Sequence, residues 1–173
     1  MFKKIKAFFS EIVSEIGIPK EQIASMSIDE LKKDAQLIHP VGFYFLAKKL
    51  FEEGQRDESI FWFYVGSIRY RYFLSSIGDD PFHNENELFG KVQFEIGGII
   101  LDYAGGNPAF WAEQIGKANQ WDTDSLNFFY LKKNNPTELA EIKKNVQGLQ
   151  QKLLAEKDSI IGQRIENGAE VRV

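Results

Sequence analysis

The chain has 173 residues, 43% hydrophobic and 27% charged, with a net charge of −4 and no cysteine. That is length enough for one domain with a core of its own. The missing cysteines exclude disulfides, thiolate nucleophiles and cysteine-ligated metal, and the mixing of lysines and arginines among acids, with no basic stripe, argues against nucleic acid as a partner.

At the start of the chain Phe2, Ile5, Phe9, Ile12, Val13 and Ile16 recur at helical spacing and predict an amphipathic helix over 1–16. The early lysines resemble the opening of a signal peptide. Ser10 and Glu11 then interrupt the apolar run and no small-residue cleavage site follows. No segment has the apolar length needed to span a bilayer. The expectation is a cytoplasmic protein whose N-terminal helix docks on its own body, because Glu11 and Glu15 offset the lysines. An interfacial membrane anchor using Phe2, Phe8 and Phe9 is the alternative.

Gly17 and Pro19 end that helix. Ser27 followed by Glu30 forms the signature of a capping box and predicts a short helix closed by Pro40. A helix follows from about Pro40 to Glu53, stopped by Gly54. Asp57 is the expected cap of an aromatic helix over 57–77. Two helices joined by so short a turn lie antiparallel. "GDDPFHNENE" reads as a loop, and the next helix runs from about Glu87 to Tyr103, with Gly105 and Gly106 as its stop. Asn107 and Pro108 are the cap and first residue of a helix reaching about Trp121. "DTDSLNFFYLKKNNP" is a short helix or an extended connection. From Thr137 to about Asn167 stands the longest helix: Leu139, Ile142, Val146, Leu149 and Leu153 alternate by three and four, a heptad stripe. It is expected to pack as far as Leu154, with the final "GAEVRV" frayed. The fold class is all-α: one helical domain over 1–173, a bundle of about six or seven helices around a central aromatic hairpin.

The segment Leu46 to Arg71 resembles a tetratricopeptide-type hairpin. The likeness is carried by Leu46 and Ala47, the Gly54 turn, Ser59, Trp62, Phe63 and Gly66. No second copy follows at that family's period of roughly 34 residues. Ser59 stands where the family has alanine, and the family's helix-ending proline is missing. The resemblance therefore implies a hairpin of similar packing and not a repeat array. "FWFYVGSIRYR" with "GNPAFWAEQIGKANQW" resembles a group of small bacterial helical proteins, a likeness that implies no activity. As a small, acidic, cysteine-free single domain, the chain is similar in type to immunity proteins that neutralise interbacterial toxins.

Chemistry-bearing residues are sparse. His39 and His83 are the only histidines and stand in separate segments, so no transition-metal motif forms. "DDPFHNENE" lacks the alternating acids and central glycine of a calcium loop. The glycine pairs make no phosphate-binding pattern, and no GxSxG marks a serine nucleophile. No catalytic residue, metal site or cofactor is therefore assigned. Two arginines stand in the aromatic helix. Arg69 shares a face with Trp62, Gly66 and Phe73, so it needs an anion; Glu95 and Asp102, seven residues apart on one face of the next helix, are the candidates. Arg71 lies about 200° around the helix and should reach the surface along Tyr70 or Tyr72.

The functional expectation is a non-catalytic protein-binding module that neutralises a toxin or similar basic partner. Its candidate surface is Asp79, Asp80, Phe82, His83, Glu85 and Glu87, combining steering charge with an aromatic anchor. The alternative is a small-ligand binder or enzyme with a pocket lined by Arg69, Glu95 and Asp102.

Overall fold

The computed structural model describes residue 18 and residues 20–78, 84–127 and 135–172. The helix expected over 1–16, the loop residues Asp79, Asp80, Phe82 and His83, and most of the connection before Asn135 lie outside the described residues. Among those described, seven helices and no strand make an all-α bundle. They are α1 (Lys20–Ile23), α2 (Ile28–Lys33), α3 (Val41–Glu52), α4 (Arg56–Ile77), α5 (Glu85–Gly105), α6 (Pro108–Asp124) and α7 (Pro136–Glu166).

Local chemistry sets most of the boundaries. Ser27 and Glu30 close a reciprocal capping box on α2: the Glu30 amide donates to Ser27 Oγ at 3.3 Å, and the Ser27 amide to Glu30 Oε2 at 2.7 Å. Asn107 Oδ1 accepts the Phe110 amide at 3.1 Å, with Pro108 as the first residue of α6. Asn135 does the same for α7, again with a proline following. The turn between α3 and α4 passes through Gly54 at φ 85°, a left-handed conformation that glycine adopts without strain.

Helix α4 is the axis of the bundle. Between Ser59 and Tyr72 only Phe61 and Arg71 are not buried. A helix apolar on nearly every side must be covered on nearly every side, and α3, α5, α6 and α7 all pack on it. Its closest neighbour is α3. Phe43 stacks on Trp62 with ring centroids 5.9 Å apart, and Tyr44 meets Phe63 edge-on at 5.4 Å. Gly66 permits that approach, since a Cβ there would lie 2.8 Å from Phe43 Cβ. Trp121 of α6 joins Trp62 at 5.3 Å. Such aromatic pairs each contribute about 0.5–1.5 kcal/mol beyond the area they bury.

Two local expectations are corrected and a third is refined. Asp57 does not cap α4, which starts one residue earlier; its carboxylate instead accepts the Tyr103 hydroxyl at 2.9 Å and pairs with Arg172 at 3.3 Å. Gly105 and Gly106 do end α5, as its last residue and its C-cap, but without a left-handed turn, because Gly106 has helical φ and ψ of −65° and −22°. They make room: a Cβ on Gly105 would lie 2.9 Å from Arg164 Nη1, and one on Gly106 would lie 3.0 Å from Arg172 Nε. The C-terminal segment is not frayed through residue 172. Gly168, at φ 67°, turns the chain back. The Arg172 amide then donates to the Gly106 carbonyl at 2.7 Å, and its guanidinium lies 3.3 Å over the Tyr103 ring. The physical reason is a set of partners remote in sequence that together outweigh the ordering entropy of a few residues.

Candidate functional site

Arg69 and Arg71 of the aromatic helix have different fates. Arg69 is 1% exposed. Its Nε donates to Asp122 Oδ1 at 3.0 Å, and its Nη2 to Ser125 Oγ at 2.7 Å and to the Leu126 carbonyl at 3.0 Å. Nη1 reaches the Ala35 carbonyl at 3.4 Å, and the guanidinium lies 4.7 Å over the Trp121 ring. Asp122, also 1% exposed, takes Lys143 Nζ of α7 on its other oxygen at 3.1 Å. The cluster ties α4, α6, α7 and the connection before α3 into one knot. Arg71, by contrast, is exposed and extends over the ring of Phe89 at 5.4 Å, not along Tyr70 or Tyr72.

Asp122 therefore replaces Glu95 and Asp102 as the partner of Arg69, and the expected pocket lined by Arg69, Glu95 and Asp102 does not form. The buried face of α5 carries Val92, Ile96 and Ile100, whereas Glu95 and Asp102 stand on its exposed face. Asp102 meets Arg164 at 3.0 Å with its own side chain 76% exposed.

Glu85 is also not where a steering charge would be. It is 5% exposed and begins α5 from inside the bundle. Tyr70 OH donates to its Oε2 at 2.5 Å and Lys20 Nζ to its Oε1 at 2.7 Å. His39 Nδ1 accepts the Val41 amide at 3.1 Å, which places the ring proton on Nε2, 3.4 Å from Glu85 Oε2. Burial by itself would raise the Glu85 carboxyl; the contacts from His39, Lys20 and Tyr70 outweigh it and hold the group down at about 2. Burial, with the adjacent carboxylate, pushes the Tyr70 phenol well above its ordinary range. Burial also raises Tyr64 to about 12, against the hydrogen bond that its oxygen accepts from Trp111. The result is a carboxylate fixed in its charged form between three segments of chain.

The exposed chemistry gathers on the outer face of α5. Phe94 is 84% exposed. Phe94, Gly98, Leu101 and Gly105 are spaced by four, three and four and share one stripe of the helix. Glu95 and Asp102 lie on the flank of that stripe, Asp102 paired with Arg164, while Lys91 and Glu87 stand one and two turns before Phe94; all four are exposed. At its far end the stripe enters a groove of about 570 Å³ between α5, α6 and α7. Leu101, Trp111, Leu149, Leu153 and Ile160 form its apolar lining, and Asp102, Lys152, Glu156 and Arg164 stand among them.

Of the residues expected at a partner surface, only Glu87 is both described and exposed. Phe94, 84% exposed, and Leu149, 37% exposed, were not among the residues expected on the surface. The available signal was the position of Phe94 between Gly90 and Gly98, one helical turn away on each side, in a row that also carries acids. Among the described residues no group of His, Cys, Asp or Glu is placed to hold a metal ion, and no helix is long and apolar enough to cross a membrane. Comparison with protein-family models, curated proteins and solved structures found no match.

Proposed function

We propose that this protein is a non-catalytic binding module for a basic protein partner, of the immunity type that neutralises a toxin. The observation that supports it is the outer face of α5: an aromatic side chain 84% exposed, with exposed Glu95 next to it in the chain and exposed Glu87 two turns before it. An exposed ring gives an anchor, and clustered acids steer a cationic partner. Arg69, the charge that an internal site would have used, is occupied with Asp122 in the core. The hairpin of α3 and α4, with its likeness to tetratricopeptide packing, serves in this reading as the scaffold that holds α5 outward.

The test places a photo-crosslinking amino acid at position 94 in the native host. The expected product is a basic protein whose capture is lost on Glu87→Lys with Glu95→Lys, and whose association slows steeply with salt. Expressing the captured protein alone should arrest growth, and co-expression should restore it. Capture indifferent to charge reversal and to salt would remove α5 from the interface. Turnover of a small molecule that is lost on Asp102→Asn, with the fold intact, would overturn the non-catalytic reading.

A further inference from the structure

We infer that Tyr103, Asp57 and the chain just past α5 form a binding seat for a single arginine on an extended stretch of protein, and that segment 168–172 occupies this seat in cis. The occupant is visible. Arg172 lies with its guanidinium 3.3 Å over the Tyr103 ring. Its Nη1 donates to Asp57 Oδ1 at 3.3 Å and its Nη2 to the Tyr103 carbonyl, while its backbone amide donates to the Gly106 carbonyl at 2.7 Å. One side chain thus meets an aromatic face, a carboxylate and a carbonyl, and the backbone beside it is bonded as well. Tyr103 follows Phe94 by nine residues, about 180° around α5, so the seat and the Phe94 face are on opposite sides of the helix.

The seat is built without the segment that fills it. The Tyr103 hydroxyl donates to Asp57 Oδ1 at 2.9 Å, and Phe51 meets the Tyr103 ring edge-on at 5.6 Å. Helices α3, α4 and α5 therefore fix the ring and the carboxylate. Gly106 keeps the entrance open, since a Cβ there would lie 3.0 Å from Arg172 Nε and 3.2 Å from the Glu170 carbonyl oxygen. Segment 168–172 is lightly held by comparison. It turns at Gly168, its Glu170 carbonyl accepts Arg164 Nε at 2.9 Å, and the Glu170 side chain is exposed. Short stretches with so few buried contacts open at low cost. The fit in cis is also incomplete: Arg172 Nε is shut off from solvent with no acceptor among the described residues. The tether decides where that nitrogen falls. An arginine on another chain has no such tether. It can turn to offer two donors to Asp57, whose side chain is 61% exposed, in the paired geometry that guanidinium and carboxylate prefer.

The chemistry of the seat selects its ligand. A planar guanidinium stacks on the ring and keeps its donors free at the edge, whereas an ammonium offers only a point charge, so arginine is preferred to lysine. Arg56 already stands 5.7 Å from the Tyr103 ring and opposes a second cation. The ligand is therefore a lone arginine with apolar or acidic neighbours, as Val171 and Glu170 are to Arg172, and not a run of basic residues. A partner's arginine must displace segment 168–172 first. The fraction of molecules with the seat open then scales the affinity, which makes the segment a built-in threshold on binding.

The test uses the full chain carrying Arg172→Ala, isotope-labelled for NMR, and a peptide copying residues 168–172, capped at both ends and added in trans. The expected result is a saturable shift of the Tyr103 and Gly106 amide signals. The same peptide with lysine in place of its arginine should bind at least fivefold more weakly. The parent chain, whose seat is filled in cis, should bind the arginine peptide at least tenfold more weakly than the variant does. Adding Asp57→Asn to the Arg172→Ala chain should weaken binding fivefold or more, and adding Glu113→Gln, on α6, should leave it unchanged. Arg172→Gln replaces Arg172→Ala if that variant loses the helical circular dichroism of the parent. No shift at Tyr103 and Gly106 up to the solubility limit of the peptide overturns the seat. Equal binding of the lysine peptide, or indifference to Asp57→Asn, reduces the contact to unspecific attraction and overturns it too. Equal binding by the parent chain overturns the occupation in cis. Crosslinking at position 94 is read separately, so either the seat or the binding-module reading can fail alone.

Discussion

Replacing Arg69 with alanine removes the centre of the buried charge cluster. At least four hydrogen bonds are lost at once, among them those to Asp122 Oδ1, Ser125 Oγ and the carbonyls of Leu126 and Ala35. So is the stacking on Trp121. Asp122 stays behind at 1% exposure, with Lys143 still 3.1 Å from its other oxygen. Breaking one side of a buried pair costs about 3–5 kcal/mol, because the other charge is left poorly compensated in a medium that solvates it badly. For a domain of this size that corresponds to a fall in Tm of roughly 6–20 °C. Thermal unfolding and urea unfolding should both report it. The informative comparison is the double variant Arg69→Met with Asp122→Leu, which takes away the buried pair, keeps the volume filled and leaves the part-exposed Lys143 to turn to solvent. It should be more stable than Arg69→Ala, because no unmatched carboxylate remains. An Arg69→Ala protein that melts within about 2 °C of the parent would refute the reasoning. So would a double variant less stable than the sum of its single changes.

Two further outcomes follow from the same geometry. The Glu85 carboxyl is held at about 2, below its ordinary value of 4.5, so it stabilises the fold fully above the ordinary value and progressively less as the pH falls toward 2; Glu85→Gln should be less stable at neutral pH and should flatten that acid limb, and an acid limb unchanged in the variant would assign it to other groups. Arg172→Ala should release the C-terminal segment and lower stability by about 1–2 kcal/mol through loss of the contact with Tyr103, seen as a lower Tm and faster amide exchange at Arg172; unchanged exchange there would show that the backbone bond to Gly106 holds the segment without the side chain.

What the sequence determined by itself was local. Ser27 with Glu30, and Asn107 with Pro108, set helix starts because capping involves atoms three residues apart. Gly54 set the turn between α3 and α4 because a positive φ favours the residue without a Cβ. The run from Ser59 to Tyr72 declared itself a central helix because almost no side of it is polar. The heptad stripe of α7 was legible through Val146 and Leu153 for the opposite reason: a narrow apolar row recurs every three or four residues on a helix otherwise polar. Periodicity says which residues share a face, but not which helix lies opposite. Arg69 was therefore recognisable as a charge in need of a partner, while Asp122, 53 residues further on, became that partner only when α6 packed against α4. Glu95 and Asp102 looked inward because their helix is apolar on average, and packing turned their side of it outward. Glu85 read as one more loop acid until Lys20, His39 and Tyr70, from three separate stretches of chain, closed around it. The glycines at 105 and 106 looked like a stop signal, and the space they leave is filled by Arg164 and Arg172, some sixty residues away along the chain. In each case the missing information was a distance between residues far apart in sequence. That distance is fixed by how whole helices pack and not by the conformational preferences of any short segment.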